Sequence, residues 1–236
     1  MKLSFIVPAF NEEKLLGETL ACIRQATGGH EIELIVCDNN STDRTAEIAR
    51  AAGATVVFEP VNQIARARNA GAAQASGDWL VFVDADSQPS IGLFSEVFEK
   101  IKEGKVLAGG STVRLAVEQP FIRFGIGAWN ALSRLNRWAA GSFIFCEAAA
   151  FRELGGFDEK FFAGEEIDFS RRMKRLARRR GLAMVILHRH PLLTSGRKAR
   201  LYSMRELLLF SLRVVITGGR TLRRKDDCYA WYDGRR

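Results

Sequence analysis

A chain of 236 residues, 47% hydrophobic and 26% charged, has the length for one large domain and the composition of a soluble globular protein. Its net charge of +8, concentrated over 171–180 and 197–236, suits nucleic acid, anionic lipid headgroups or phosphorylated substrates. Cys22, Cys37, Cys146 and Cys228 form no Cys-x-x-Cys pair and no apolar run reaches ~20 residues, which argues against a zinc site, a disulfide frame and a spanning helix and for a cytoplasmic protein.

Strand and helix signals alternate through the first hundred residues. Residues 3–7 read as a strand, too short for a secretory segment and soon broken by Pro8. Residues 12–26 place Leu15, Leu16, Leu20 and Ile23 at helical spacing. Strands follow at 33–37, 55–58 and 79–83, with helices over 42–52 and 64–75 between them. Strand, crossover helix, strand is the pattern of a parallel sheet covered on both faces. After a helix over 91–101 the rhythm changes. Strands at 106–115 and 142–146 flank an amphipathic stretch with Phe121, Phe124, Trp129 and Trp138. Helices at 151–154 and 167–180 and a strand at 183–188 complete one domain over 1–200. In the extension 201–236, Leu207, Leu208, Phe210 and Leu212 lie among Arg205, Arg213, Arg220, Arg223, Arg224 and Lys225. That composition suits a helix on an anionic membrane, and equally one packed on the domain or on a second copy.

Open parallel sheets bind ligands at the carboxyl ends of their strands, near a change of strand order. Three strand ends here carry polar clusters. The fourth strand runs into Asp84-Ala85-Asp86; alternation along an extended chain points both carboxylates one way, toward a hard metal ion or a ligand hydroxyl. Asp86-Ser87-Gln88-Pro89 also reads as a turn or helix cap. The first strand runs into Pro8-Ala9-Phe10-Asn11-Glu12 and the second into Asp38-Asn39-Asn40-Ser41-Thr42-Asp43. Ser41, Thr42 and Asp43 are expected to cap the next helix, whereas Asp38 comes too early to cap and faces the crevice of Asp84. Gly164-Glu165-Glu166-Ile167-Asp168 sets three carboxylates at a helix start, where they complement its dipole or serve as a base.

In order, Pro8-Ala9-Phe10-Asn11-Glu12, Val36-Cys37-Asp38-Asn39-Asn40-Ser41-Thr42-Asp43, Ala67-Arg68-Asn69-Ala70-Gly71, Val83-Asp84-Ala85-Asp86, Gly155-Gly156-Phe157-Asp158-Glu159 and the Gly164 to Asp168 motif resemble the family 2 glycosyltransferases. The resemblance covers residues 3 to 200. It implies an α/β, GT-A-type fold, with a mostly parallel Rossmann-like sheet flanked by helices. A nucleotide-binding half would span 1–105 and an acceptor half 106–200. It also implies a UDP- or GDP-type sugar donor, Mg²⁺ or Mn²⁺, and inversion at the anomeric carbon.

By position, the resemblance implies that Pro8, Ala9 and Glu12 line the nucleobase pocket and that Asp38 bonds the base. Arg68 would approach the nucleotide or its phosphates. Asp84, with Ala85, would contact ribose or metal, and Asp86 the metal bridging the diphosphate. One of His188 and His190 would complete the metal site or touch the diphosphate. Arg197 and Lys198 would form a basic loop closing over the donor, and Gly141-Ser142 a small turn beside the sugar. Glu166 stands where the commoner pattern has Asp and would be the base, with Glu165 next and Asp168 in support. The acceptor is expected to be a glycan or a lipid-linked molecule, met at the inner face of the membrane if the extension docks there. Trp129, Trp138 and Phe143 either line its cleft or belong to the core.

Two other classes are weighed. A sugar-phosphate nucleotidyltransferase would use a similar sheet, but the first strand lacks the Gly-rich basic loop that cradles a triphosphate. A nucleic-acid-binding module fits the charge, yet Asp38, Asp84, Asp86 and Glu166 would repel phosphates. No Gly-x-Gly-x-x-Gly follows any strand, which argues against a dinucleotide fold.

Overall fold

The computed structural model describes residues 1–116, 119–197, 201 and 204–232. β1 (Leu3–Ala9) is buried along its whole length, as a strand covered on both faces must be. It pairs in parallel with β2 (Ile32–Asp38), Ala9 opposite Asp38, and on its other side with β4 (Trp79–Val83). β3 (Thr55–Phe58) extends the sheet beyond β2. The crossovers are α1 (Leu16–Ala26), α2 (Thr45–Ala51) and α3 (Ile64–Ala73). α3 lies close against the sheet because Gly71 has no side chain; a Cβ there would sit 2.6 Å from Ile6 Cγ2.

The second half adds β5 (Ser87–Gln88), α4 (Ile91–Lys102), β6 (Val106–Leu115), α5 (Pro120–Asn136), β7 (Phe143–Glu147), α6 (Ala148–Glu153), α7 (Glu165–Arg179) and β8 (Ala183–Thr194). The described strands form one sheet in the order β3-β2-β1-β4-β7-β6-β8-β5. The chain leaves β1 toward β2 and β3, then returns to place β4 on the opposite side. That reversal opens the crevice above the carboxyl ends of β1 and β4. One face of the sheet buries Phe5, Phe94, Phe143 and Phe145; the other buries Phe82, Phe151, Phe157 and Phe169.

Several boundaries differ from the sequence expectation, each for a physical reason. α1 starts at Leu16 because residues 12–15 form a turn, with Leu15 and Leu16 N–H both donating to the Glu12 carbonyl. α2 starts at Thr45, and the polar run before it braces the loop after β1 more than it caps a helix. The Ser41 hydroxyl accepts from Asn11 N–H (3.0 Å), and Thr42 N–H donates to Asn11 Oδ1 (2.8 Å). Thr45 Oγ1 accepts from Glu12 N–H (2.8 Å), and Asp43 accepts from Glu13 N–H and Thr45 N–H. β8 continues six residues past its expected end. Ser111 pairs with Leu187 but Val113 with Leu192, so 188–191 bulge outward around Pro191, which has no N–H to give the ladder.

The aromatic stretch folds as α5. Trp129 packs on the core while Phe121, Phe124, Leu132 and Leu135 face solvent. Phe143 is fully buried against Phe94, so it lines no cleft. The helix Met204–Ile216 exposes Leu209, Leu212 and Ile216. The 3-10 turn Arg220–Arg223 then returns to the domain, where the Leu222 carbonyl accepts from Phe162 N–H (2.7 Å). Residues 220–232 are therefore joined to the loop before α7 and do not form a separate appendage. Among the described residues, no helix is long and apolar enough to cross a membrane.

Burial raises the Asp43 pKa, but the bonds from Thr45 and Glu13 outweigh it and hold the carboxyl below its ordinary value. We expect Asp43→Ala to cost about 1–3 kcal/mol in urea unfolding at neutral pH. A depressed folded pKa contributes stability above the unfolded value of ~3.9, and that contribution is lost as pH falls through the folded one. The gap between wild type and variant should therefore narrow in acid; an equal gap at both pH values would contradict this role.

Candidate active site

The acidic pair does not lie on an extended strand as the sequence suggested. β4 stops at Val83, and residues 84–87 close a β-turn in which Ser87 N–H donates to the Asp84 carbonyl (3.1 Å). Asp84 N–H donates to the Ser142 carbonyl (3.2 Å), and the Ala85 carbonyl accepts from the Thr19 hydroxyl (2.8 Å). Ala85 itself is buried. The turn thus hands the two carboxylates to different basic partners.

Asp84 meets Arg68, carried on α3 and only 1% exposed. The Arg68 fork donates to Asp84 Oδ1 (3.0 Å), to the Gly141 carbonyl (2.8 Å) and to Glu165 Oε1 (2.5 Å), with its guanidinium 5.3 Å from the Phe157 ring centroid. Burial disfavours this charge, but Asp84, Glu165 and Glu166 more than compensate, so its pKa is raised. The Arg68 Nη groups are thus engaged by protein partners. Glu165 is buried and ion-paired with Arg68, and Glu166 is the next carboxylate along the helix. Glu166 stands beside Gly141, where a Cβ would lie 3.6 Å from its Cδ and 3.0 Å from Arg68 Nη2.

Asp86 accepts from the hydroxyls of Thr194 (3.3 Å) and Ser195, and Arg197 Nη2 lies 4.0 Å away. Arg197 also grips buried Glu12, with Nη1 3.0 Å from Oε2. Burial opposes the Arg197 charge; the bond to Glu12 and the fields of Glu12, Asp86 and Asp84 outweigh it, and its pKa is raised. Acid and base thus alternate across the crevice: Glu12, Arg197, Asp86 with Asp84, Arg68, Glu165 with Glu166.

The remaining expected residues divide. Pro8 and Ala9 are buried at the end of β1, and Ser142 opposes Asp84. Asp38 lies at the end of β2, two strand spacings from β4, or roughly 10 Å. Its Oδ1 accepts from Ser41 N–H (3.0 Å), which closes a turn ahead of α2. His188 is exposed on the β8 bulge, and the His190 ring bonds buried Glu96 on α4 (2.7 Å). The structure brings neither histidine to the acidic pair. Lys198 lies outside the described residues.

Hard carboxylate oxygens suit Mg²⁺ or Mn²⁺, and such an ion commonly takes one or two carboxylates and completes its shell with substrate phosphates. Asp84 and Asp86 fit that pattern, although no cluster of three or more His, Cys, Asp or Glu among the described residues could hold a metal on its own.

Three amides escaped the sequence reading. Asn39 donates to the carbonyls of Glu59 and Val61 and accepts from Gln63 N–H; Gln63 donates to the carbonyls of Glu159 and Phe161; Asn69 exchanges bonds with Phe157. Together they tie the end of β2 to the loop before α7. Asn39 and Asn69 lie inside recognisable motifs, but nothing local marks Gln63.

We expect Arg68→Met to cost about 3–5 kcal/mol in chemical unfolding, because it leaves Asp84 and Glu165 without their partner. Unchanged stability would refute its role as anchor.

Residues 4–159 match the family described as Glycosyl transferase family 2. Over 119 residues the chain is 35% identical to a dolichol-phosphate mannosyltransferase of Pyrococcus furiosus, covering 47% of this chain and 33% of that protein. Over 214 residues it is 27% identical to a validoxylamine A glucosyltransferase of Streptomyces hygroscopicus, covering 72% of this chain and 47% of that one. The chain thus spans less than half the length of these relatives. TarS of S. aureus superposes with a TM-score of 0.66 at 20% identity over 91% of this chain and 66% of that chain. The glucosyl-3-phosphoglycerate synthase of Mycobacterium tuberculosis, solved with Mn²⁺, UDP and glucosyl-3-phosphoglycerate, gives 0.64 at 23% over 91% and 77%. The mannosyltransferase PcManGT of Pyrobaculum calidifontis, solved with GDP-Man and Mn²⁺, gives 0.65 at 20% over 90% and 64%. At these identities the likeness establishes the shared fold.

Proposed function

Because the chain belongs to glycosyl transferase family 2, we propose that it transfers a sugar, with inversion, from a UDP- or GDP-type donor to a hydroxyl of a glycan or lipid-linked acceptor. The observation that carries this reading is the alternating charge across the crevice, in which Arg68 joins Asp84 to the Gly141 carbonyl, Arg197 faces Asp86 and Glu166 stands beside Gly141. Donors of that type in the structures of similar fold support it.

Transfer breaks the bond between the anomeric carbon and the diphosphate and forms one to the acceptor oxygen, whose proton needs a base. Glu166 takes that proton. Arg68 holds Glu165 and the Gly141 carbonyl, and so fixes the start of α7 and the turn against which Glu166 rests. Gly141 leaves the space between them open. Asp84 and Asp86 would hold Mg²⁺ or Mn²⁺, which when bound would supply positive charge to neutralise the departing diphosphate. Arg197, already beside Asp86, offers that diphosphate a second, bidentate cation.

Peripheral contact with an anionic membrane belongs to the same proposal. Exposed Leu209, Leu212 and Ile216 beside Arg205 and Arg213 support it. Flotation with vesicles containing anionic lipid should be lost when Leu209 and Leu212 are both changed to Ser; flotation that persists, or is absent in the wild type, would discard it.

Purified protein should release UDP or GDP from a matching donor in the presence of Mn²⁺. Asp86→Asn should abolish that release and the metal-dependent thermal stabilisation by the nucleotide. Glu166→Gln should lower kcat by about 10²–10⁴-fold while nucleotide binding stays unchanged. A Glu166→Gln enzyme of near wild-type rate would remove Glu166 as the base, and no stabilisation by any nucleotide would refute the transferase reading.

A further inference from the structure

Beside α7 lies a cavity of about 660 Å³, walled by Trp138, the first turn of α7 and the C-terminal 3-10 turn. Its size suits a small phosphorylated molecule or a headgroup. Arg171, Arg220 and Arg223 line it. Arg171 stacks over Trp138 and Arg223 over Phe161, each 5.0 Å from the ring centroid. Stacking fixes the plane of a guanidinium and leaves its N–H edge available to donate. Among the described residues no carboxylate lies within ion-pair distance of these three arginines, whereas Arg68, Arg172, Arg197 and Arg213 each hold one. The acid in the wall, Asp168, is already bonded to Arg172 (2.7 Å).

The cavity also adjoins the start of α7, the helix that carries Glu166. Gly164 and Ile167, which flank Glu165 and Glu166, are in its wall, and Trp138 stands three residues before Gly141. An anion seated among the arginines would therefore lie next to the acceptor side of the reaction.

Building on the transferase reading, we propose that this cavity is an acceptor subsite for a phosphate group, which Arg171, Arg220 and Arg223 bind so that a hydroxyl of the same molecule reaches Glu166. The arginine fork recognises phosphate by paired N–H···O bonds, and three guanidinium groups in one wall disfavour acceptors with an ammonium in that place.

The test titrates the full chain with inorganic phosphate, read by tryptophan fluorescence with Trp138→Phe as the control for the reporter. In parallel, UDP and GDP binding with Mn²⁺ is followed by thermal shift. Arg220→Gln and Arg171→Gln should each weaken phosphate binding by about ten-fold or more, with Arg220→Lys recovering part of it, while nucleotide binding is unchanged. Asp86→Asn should do the reverse. Phosphate affinity that ignores both arginine variants, or that falls with Asp86→Asn, overturns the subsite. Loss of nucleotide binding in the wild type overturns the transferase reading instead. Flotation on phosphatidylcholine vesicles with and without phosphatidic acid separates the sources: a phosphatidic-acid effect sensitive to Arg220→Gln assigns the phosphate to a lipid, and none assigns it to a soluble acceptor.

Discussion

Arg68 is the constraint on which the crevice depends. A guanidinium removed from water is tolerated only when its charge is met, and partners from three other places in the chain meet the two Nη groups of this one. The fork therefore fixes the distance from α3 to the turn after β4, to the loop before β7 and to the start of α7. Glycine recurs where these pieces touch. At Gly71, Gly141 and Gly156 a methyl group would strike Ile6, crowd Arg68, or meet Asn69 at 2.5 Å. Such contacts let helices and loops close around the charge as tightly as the ion pairs require.

Across the crevice, each acid has a base beside it before any ligand arrives. Asp86 faces Arg197, which also holds Glu12. On the proposed reading, a dication at Asp86 would share it with a guanidinium or displace it, and an arginine displaced from a carboxylate would be free for phosphate oxygens. The arrival of metal and of diphosphate would then be linked to the position of the Arg197 side chain. Arg68 is fixed by comparison, because it is buried and Glu165 is buried with it. One arginine supports; the other would exchange partners.

Much of this was legible in the sequence. The period of the parallel half, the span of β6 and the place of the acidic pair all follow from local signals. Geometry was less accessible. Two carboxylates one residue apart suggest a strand, and only the Ser87 N–H bond back to Asp84 shows a turn. The ion pairs of Arg68 were not legible because its partners lie 16, 73 and 97 residues away. Ser41, Thr42 and Asp43 looked like helix caps because their service to the loop after β1 crosses some thirty residues. His190 fell to Glu96 because a bulge moved it, and bulges leave little trace in composition beyond a proline.

The same separations bear on how the molecule assembles. Glu12 meets Arg197 across 185 residues, and Phe162 bonds Leu222 at the far wall. Loops of that length close slowly, and chains leave the ribosome from the amino end. The parallel half is complete while Glu165 has yet to be synthesised, so Arg68 must wait in water until its partners emerge. Maturation of the crevice is then a late event, after the sheet beneath it has formed, and a nascent chain stalled before α7 would carry a recognisable sheet with an unfinished, hydrated centre.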